Sequence, residues 1–326
     1  MENDMQFQNR LDLSELSVSA EQIKQEIGKV IVGQEKFKQL MLVAILANGH
    51  VLVEGVPGVA KTLTVKLMAK ALSVGFSRIQ FTPDLMPSDI LGTNVFNMQK
   101  SSFEFNQGPI FSNIILIDEI NRAPAKTQSA LFEVMEERQV TIDGKTYPME
   151  APFLVFATQN PIEMEGTYRL PEAQLDRFIF KITVDYPNLA EEEMIISGNH
   201  TRQGKKEIEN INSILTAKQI ATYQELVQQV HIEVNLQKYI AQIVQATRNN
   251  GSLYLGASPR AAIFIMQSAK AMAALKSRDF VTPEDIQEVI YPVLSHRLIL
   301  TPEKEMEGGT TVSVIESILQ TTEVPR

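Results

Sequence analysis

The sequence predicts an α/β core built on a parallel sheet, followed by a smaller α-helical domain. Three observations carry that reading. The apolar run Val51-Leu52-Val53 turns into a helical pattern through a glycine-rich loop, and the run Ile114-Ile-Leu-Ile ends in two carboxylates, Asp118 and Glu119. From Leu189 onward, helical periodicity dominates and strand-like runs become few. Short, unbroken apolar runs are strands buried on both faces, as a parallel sheet between helices requires. A chain of 326 residues has room for two domains, or for one domain with a substantial lid. The expected division places the α/β core at 1–188 and the helical lid at 189–326, with Tyr186-Pro187-Asn188 as the boundary.

Composition narrows the chemistry. With no cysteine, disulfides, thiolate metal sites and cysteine nucleophiles are excluded. His50, His200, His231 and His296 are scattered without metal-ligand spacing, which argues against a zinc site. The formal charge of −9 argues against a chain held on nucleic acid by general basicity. The amino end has no apolar core of signal-peptide type, and no apolar run reaches the roughly 18 residues of a membrane span, so a cytoplasmic protein is expected. The sequence shows no internal repeat and no low-complexity segment.

In chain order, residues 1–12 read as frayed, and a helix starts near Leu13 and runs through Ile23, Ile27 and Val30. The break Val30-Ile-Val32-Gly33-Gln34-Glu35 reads as a helix-to-helix turn. In nucleotide-binding folds such a segment before the first strand lies against the adenine, which makes Val32 and Gly33 candidates for that contact. A second helix spans 37–47, and the first strand spans 51–54. The loop that follows is Gly55, Val56, Pro57, Gly58, Val59, Ala60, Lys61 and Thr62, and the helix after it carries Leu63, Val65, Leu67, Met68 and Ala71.

A glycine-rich turn from strand to helix is the setting of a phosphate-binding loop. Successive N–H groups form an anion nest at the positive end of the helix, and Lys61 adds charge for the outer phosphates. Thr62 would hold magnesium through its hydroxyl. The pattern departs from G-x-x-x-x-G-K-[ST] at Ala60, and alanine there is expected to require a negative backbone φ.

Residues 76–81 read as a strand, and 82–107 as a short helix flanked by loops, too long for a simple connection. In Ile114-Ile-Leu-Ile-Asp118-Glu119 the acids emerge at the carboxyl end of a strand, where open α/β sheets bind ligands. Asp118 would hold magnesium through water, and Glu119 would activate the water that attacks a γ-phosphate. A helix at 126–137 leads to a hairpin at 139–147 turned by Asp143-Gly144. A strand at 153–158 ends in Gln159-Asn160-Pro161, whose amides suit either a γ-phosphate contact or an ordinary turn. A short helix from Leu170 then leads through Asp176, Arg177 and Phe178 into a strand at 179–184.

Beyond it, helices are expected near 190–200, 217–230, 236–248, 259–276 and 283–297, with a loop over 201–210. Thr282-Pro283-Glu284-Asp285 supplies a capping threonine, a first-turn proline and early acids. The Met and Leu stripes of these helices read as core packing, with no cofactor needed.

These motifs together resemble AAA+ ATPases, and specifically the MoxR family. The likeness runs from about Val30 to about Ile299. It rests on Gly-Val-Pro-Gly-Val-Ala-Lys-Thr, Ile-Asp-Glu-Ile-Asn-Arg-Ala-Pro, Ala-Thr-Gln-Asn-Pro, Leu-Pro-Glu-Ala-Gln-Leu-Asp-Arg-Phe and Gly-Ala-Ser-Pro-Arg. The resemblance implies an AAA+ P-loop core with ATP and magnesium as its ligands. Residues 55–62 would be the Walker A loop, which similarly carries alanine before the lysine in the family, and Asp118 and Glu119 would be Walker B. It further implies Asn160 as first sensor, Arg177 as an arginine finger reaching a neighbour's γ-phosphate, and Arg260 as second sensor from the lid. Residues 82–107 would be the helix insert of this branch, and 138–151 the hairpin before the first sensor.

Where the family usually reads Thr-Tyr-Pro-Leu-Pro, this chain has Thr167-Tyr-Arg169-Leu-Pro171, so Arg169 competes with Arg177 for the interface role. Arg177 is preferred, because it sits in the matching Leu-Asp-Arg-Phe, and the role of Arg122 is left open. The implied protein is a homo-oligomeric ring, expected to be a hexamer. It would remodel or mature a client protein, often with a von Willebrand factor A partner. The alternatives are a nucleic-acid motor using Arg138 and Lys145 of the hairpin, and a nucleotide-gated switch with little turnover.

Overall fold

The computed structural model describes residues 11–160, 168–202 and 211–325. Helices α1 (Ser14–Gly28) and α2 (Glu35–Leu46) precede strand β1 (His50–Gly55), helix α3 (Lys61–Ala71) and strand β2 (Phe76–Gln80). Next come α4 (Pro87–Leu91), the antiparallel pair β3 (Gly92–Asn97) and β4 (Ser102–Gln107), then β5 (Ile114–Asp118) and α5 (Ala125–Glu137). A hairpin of β6 (Gln139–Ile142) and β7 (Lys145–Pro148) leads to β8 (Leu154–Gln159), α6 (Glu172–Leu175) and β9 (Phe178–Val184). The remainder is α7 (Leu189–Arg202), α8 (Ala217–Gln229), α9 (Val234–Arg248), β10 (Leu253–Leu255), α10 (Pro259–Leu275), α11 (Pro283–Leu294), β11 (Ile299–Leu300), α12 (Pro302–Met306) and α13 (Thr311–Thr321).

Five strands form one parallel sheet in the order β2-β5-β8-β1-β9. Every residue of β5 is buried, as expected of a run without alternation. Period-2 alternation sends Val51, Val53, Ile114, Leu116, Leu154 and Phe156 to one face, and Leu52, Ile115, Ile117, Val155 and Ala157 to the other. The second face is covered by Leu131, Phe132 and Met135 of α5 with Ile90 of α4. The first packs on α2 and α3, and the same continuous core takes in α1 and the buried residues of α8 to α11 and α13. Thus the C-terminal helices share a core with the sheet. Helix α10 lies on α2, and α11 lies along β9, covering the sheet's edge.

Local signals explain the boundaries. Thr282 and Asp285 form the capping box that opens α11, and Asp143 with Gly144, both at positive φ, turn the β6–β7 hairpin. The stripes of the C-terminal helices are core, with Leu236, Ile240 and Met272 buried.

Two stretches differ from the sequence reading. Residues 82–107 carry the expected short helix, five residues long, but a β-hairpin follows it where a loop was expected. That hairpin is largely exposed, and although Phe103 and Phe105 alternate with polar residues in β4, the adjacent Val95 and Phe96 break the pattern in β3. The β10–β11 pair is too short to show a period. Residues 1–10, most of the loop expected at 201–210, and Pro161 and Thr167 lie outside the described residues.

Candidate functional site

Strand β1 ends at Gly55 inside the sheet, and the chain loops over its tip before α3 starts at Lys61. Gly58 takes φ +86° with open space around it. Ala60 caps α3 at φ +56° and ψ 22°, which corrects the expectation of a negative φ. Left-handed geometry costs an L-residue about 1–2 kcal/mol and persists where its surroundings over-determine it. Val59 supplies part of that support, since its carbonyl accepts a 2.8 Å hydrogen bond from Nε2 of Gln34. That bond ties the break after α1 to the loop. Beside Gln34, Gly33 turns at φ +66° directly against the Glu191 carboxylate in the first turn of α7. Val32 and Gly33 therefore belong to a segment running between the loop and α7.

The Lys61 ammonium donates to the Gly55 carbonyl. Burial lowers its pKa, while the charges of Asp118, Glu54 and Glu119 oppose that shift. Across the loop, Thr62 Oγ1 lies 3.5 Å from Oδ1 of Asp118, and Thr158 Oγ1 donates to the same oxygen at 3.2 Å. Thr158 also accepts the Glu119 N–H at 3.1 Å, so one hydroxyl holds both acids. Glu119 itself is left-handed, at φ 57° and ψ 53°, a conformation typical of functional turns. Its carboxylate accepts from Gln80 at 2.8 Å and pairs with Arg122 at 2.9 Å. The other Asp118 oxygen pairs with Nε of Arg78 at 2.6 Å.

Because the strands are parallel, the tips of β1, β2, β5 and β8 open on one side. They enclose a cleft of about 570 Å³ lined by residues 57–63 with Arg78, Gln80, Asp118, Glu119, Thr158 and Asn160. Lys61, Thr62, Asp118, Glu119 and Asn160 are thus brought together. The donor set suits magnesium, a hard cation that takes one or two carboxylates and completes its shell with water and substrate phosphates. Asp118 and Thr62 offer oxygen only, and among the described residues no group of three or more His, Asp or Glu could hold a metal alone.

Arg177 and Arg260 stand apart from the cleft. Both reach Glu136 on α5: Arg260 at 2.7 Å, and Arg177 at 3.7 Å while it also donates to the Phe132 carbonyl. Arg169 is exposed, 3.8 Å from Glu172. Asp176, beside Arg177, accepts from Arg297 at 2.7 Å and from Ser258 at 2.8 Å, which fastens the start of β9 to α10 and to the chain following α11.

Arg78, Gln80 and Thr158 escaped the sequence reading. Arg78 and Gln80 are two apart on β2 and share a face, and the β2–β5 register sets Gln80 opposite Asp118. Only the polar spacing within a short strand hints at this, and it acquires meaning once the strand order is known.

Comparison with known proteins agrees with this geometry. The family model for the ATPase family associated with various cellular activities (AAA) matches residues 50–180, and that for the AAA lid domain matches 245–318. The uncharacterized protein YeaC of Bacillus subtilis is 46% identical over 301 residues, covering 92% of this chain and 93% of its own. Chaperone MoxR1 of Mycobacterium tuberculosis is also 46% identical, over 312 residues, with 92% and 81% covered. A crystal structure of a candidate ATPase from Cytophaga hutchinsonii superposes with a TM-score of 0.88 at 44% identity, covering 96% of this chain and 97% of that one. A glycine-rich loop and paired acids on the same edge of one parallel sheet, an AAA lid, and likeness to a MoxR protein over 92% of the chain converge: the chain belongs to the MoxR family of AAA+ ATPases.

Proposed function

We propose that the protein hydrolyses ATP to ADP and phosphate with magnesium, and that it does so at the boundary between subunits of a ring. The observation that carries this reading is the convergence of Lys61, Thr62, Asp118, Glu119 and Asn160 on one cleft. Residues 55–62 bind the phosphate chain through backbone N–H groups and the Lys61 ammonium. Val32 and Gly33 flank the base. Thr62 and Asp118 hold the cation, which neutralises charge on the phosphates when bound. Asn160 orients the attacking water. Glu119 accepts the water's proton as its oxygen bonds to the γ-phosphorus and the bond to the bridging oxygen of ADP breaks.

Among the described residues, the basic side chains lining the cleft are Lys61, Lys66 and Arg78. Arg177 and Arg260, grouped around Glu136, are proposed to meet the nucleotide of a neighbouring subunit, which would make assembly part of catalysis. A hexameric ring follows the family pattern, as do the chaperone-like action on a client, a von Willebrand factor A partner and a cytoplasmic setting. The division into a core at 1–188 and a lid at 189–326 is proposed as one of topology, since the hydrophobic core runs through both. The nucleic-acid alternative loses a residue: Arg138 is engaged with the Asn48 carbonyl and side chain at 2.8 and 2.9 Å.

The test is nucleotide binding and turnover in two variants. Lys61→Ala removes a charge-assisted contact and should weaken ATP binding about ten- to hundredfold. Glu119→Gln should retain ATP while turnover falls by about two orders of magnitude or more. Unchanged binding in the first, or unchanged turnover in the second, would refute the assignment.

A further inference from the structure

Asp118 is the one acid that the cation site needs, and it is already paired. Arg78 reaches it from the neighbouring strand with Nε 2.6 Å from Oδ2, while Thr158 and Thr62 approach Oδ1 at 3.2 and 3.5 Å. The pair is lopsided: the Asp118 side chain is 10% exposed and that of Arg78 is 55% exposed. An aspartate so deeply set carries a desolvation cost unless a counter-charge is close, and here the counter-charge arrives from the solvent side of the cleft. Arg78 also lines the cleft itself. A guanidinium and a divalent cation draw on the charge of the same carboxylate: Arg78 takes Oδ2, while Thr62 faces Oδ1, so a cation held there through water stands beside the guanidinium and is repelled by it.

We propose that Arg78 is the counter-ion of Asp118, which holds that carboxylate in place and opposes, by its own charge, the divalent cation that arrives with nucleotide. The proposal rests on the reading of the cleft as a magnesium-nucleotide site. Arg78 then sets the magnesium concentration at which nucleotide binds. The size of the effect is bounded, because a pair with one exposed partner contributes modestly, and losing it shifts an equilibrium by about two- to fivefold.

The experiment is a magnesium titration of the binding of a fluorescent ATP analogue to the full chain. Native protein, Arg78→Gln and Arg78→Lys are compared, with thermal unfolding as a check on folding. The half-saturating magnesium concentration should fall about two- to fivefold in Arg78→Gln and stay near native in Arg78→Lys, which keeps the charge. An unchanged or raised half-saturation in Arg78→Gln overturns the counter-ion role, the raised value by making Arg78 a contributor to the loaded site. Should the native chain fail to bind the analogue at any magnesium concentration, the nucleotide reading falls, and this inference with it.

Discussion

The loop at the tip of β1 shows how far a residue-scale reading carries. Lys61 and Thr62 were legible because they close a glycine-rich loop between an apolar strand and a helix, and Asp118 and Glu119 because they close an apolar strand, and the fold brings these strand ends together. Ala60 was legible as a departure but not in its conformation. The sequence pattern asked for a negative φ, whereas the turn into α3 and the Gln34–Val59 bond impose +56°. That strain gives a prediction. Ala60→Gly relieves about 1–2 kcal/mol of left-handed cost and gives back part of it to unfolded-chain entropy, for a net gain of about 1 kcal/mol. Denaturant unfolding should show it, and a loss of stability would contradict the strain account. Arg78, Gln80 and Thr158 were not legible, since their value depends on which strand lies beside which.

At the scale of elements, long periodic helices and unbroken apolar strands were readable, while the β3–β4 hairpin and the β10–β11 pair were not. The hairpin has no fully buried residue and its alternation, present in β4, is broken in β3 by the adjacent Val95 and Phe96, while the pair is too short to have a period. What joins elements was also hidden. Arg297, its side chain 2% exposed, pairs with Asp176 and donates to the carbonyls of Asp176 and Phe178 at the start of β9. No motif in the sequence marks a clamp whose halves lie more than a hundred residues apart. Asp176→Ala would leave a buried guanidinium without its carboxylate partner, at a cost of about 3 kcal/mol. An unfolding midpoint within error of native would show that the clamp contributes nothing.

For the whole molecule, one hydrophobic core links the sheet to the C-terminal helices, a second covers the other face of the sheet, and buried polar groups make stability depend on pH. His50 is neutral in the second, edge-on to Phe153: Nδ1 accepts the Val155 N–H at 2.9 Å, and Nε2 donates to the Met135 carbonyl at 3.1 Å. Burial first, and then the charge of Arg138, depress its pKa from 6.5 to about 4. Between those values the unfolded chain binds a proton that the folded chain does not, so stability falls as pH drops through that window, by up to about 3 kcal/mol. The stability gap between the native chain and His50→Gln should narrow by that order from pH 7 to pH 4, and a constant gap would contradict the assignment. His296, buried and also depressed well below 6.5, adds to the native slope without altering that comparison.

The central claim is a cleft completed by a neighbouring subunit, and the most direct measurement is ATP turnover per subunit against protein concentration, for the native chain and for Arg177→Ala. Turnover that rises with concentration in the native chain and falls about three to five orders of magnitude in the variant is the predicted result. A rate independent of concentration and unharmed by the substitution would contradict the shared site.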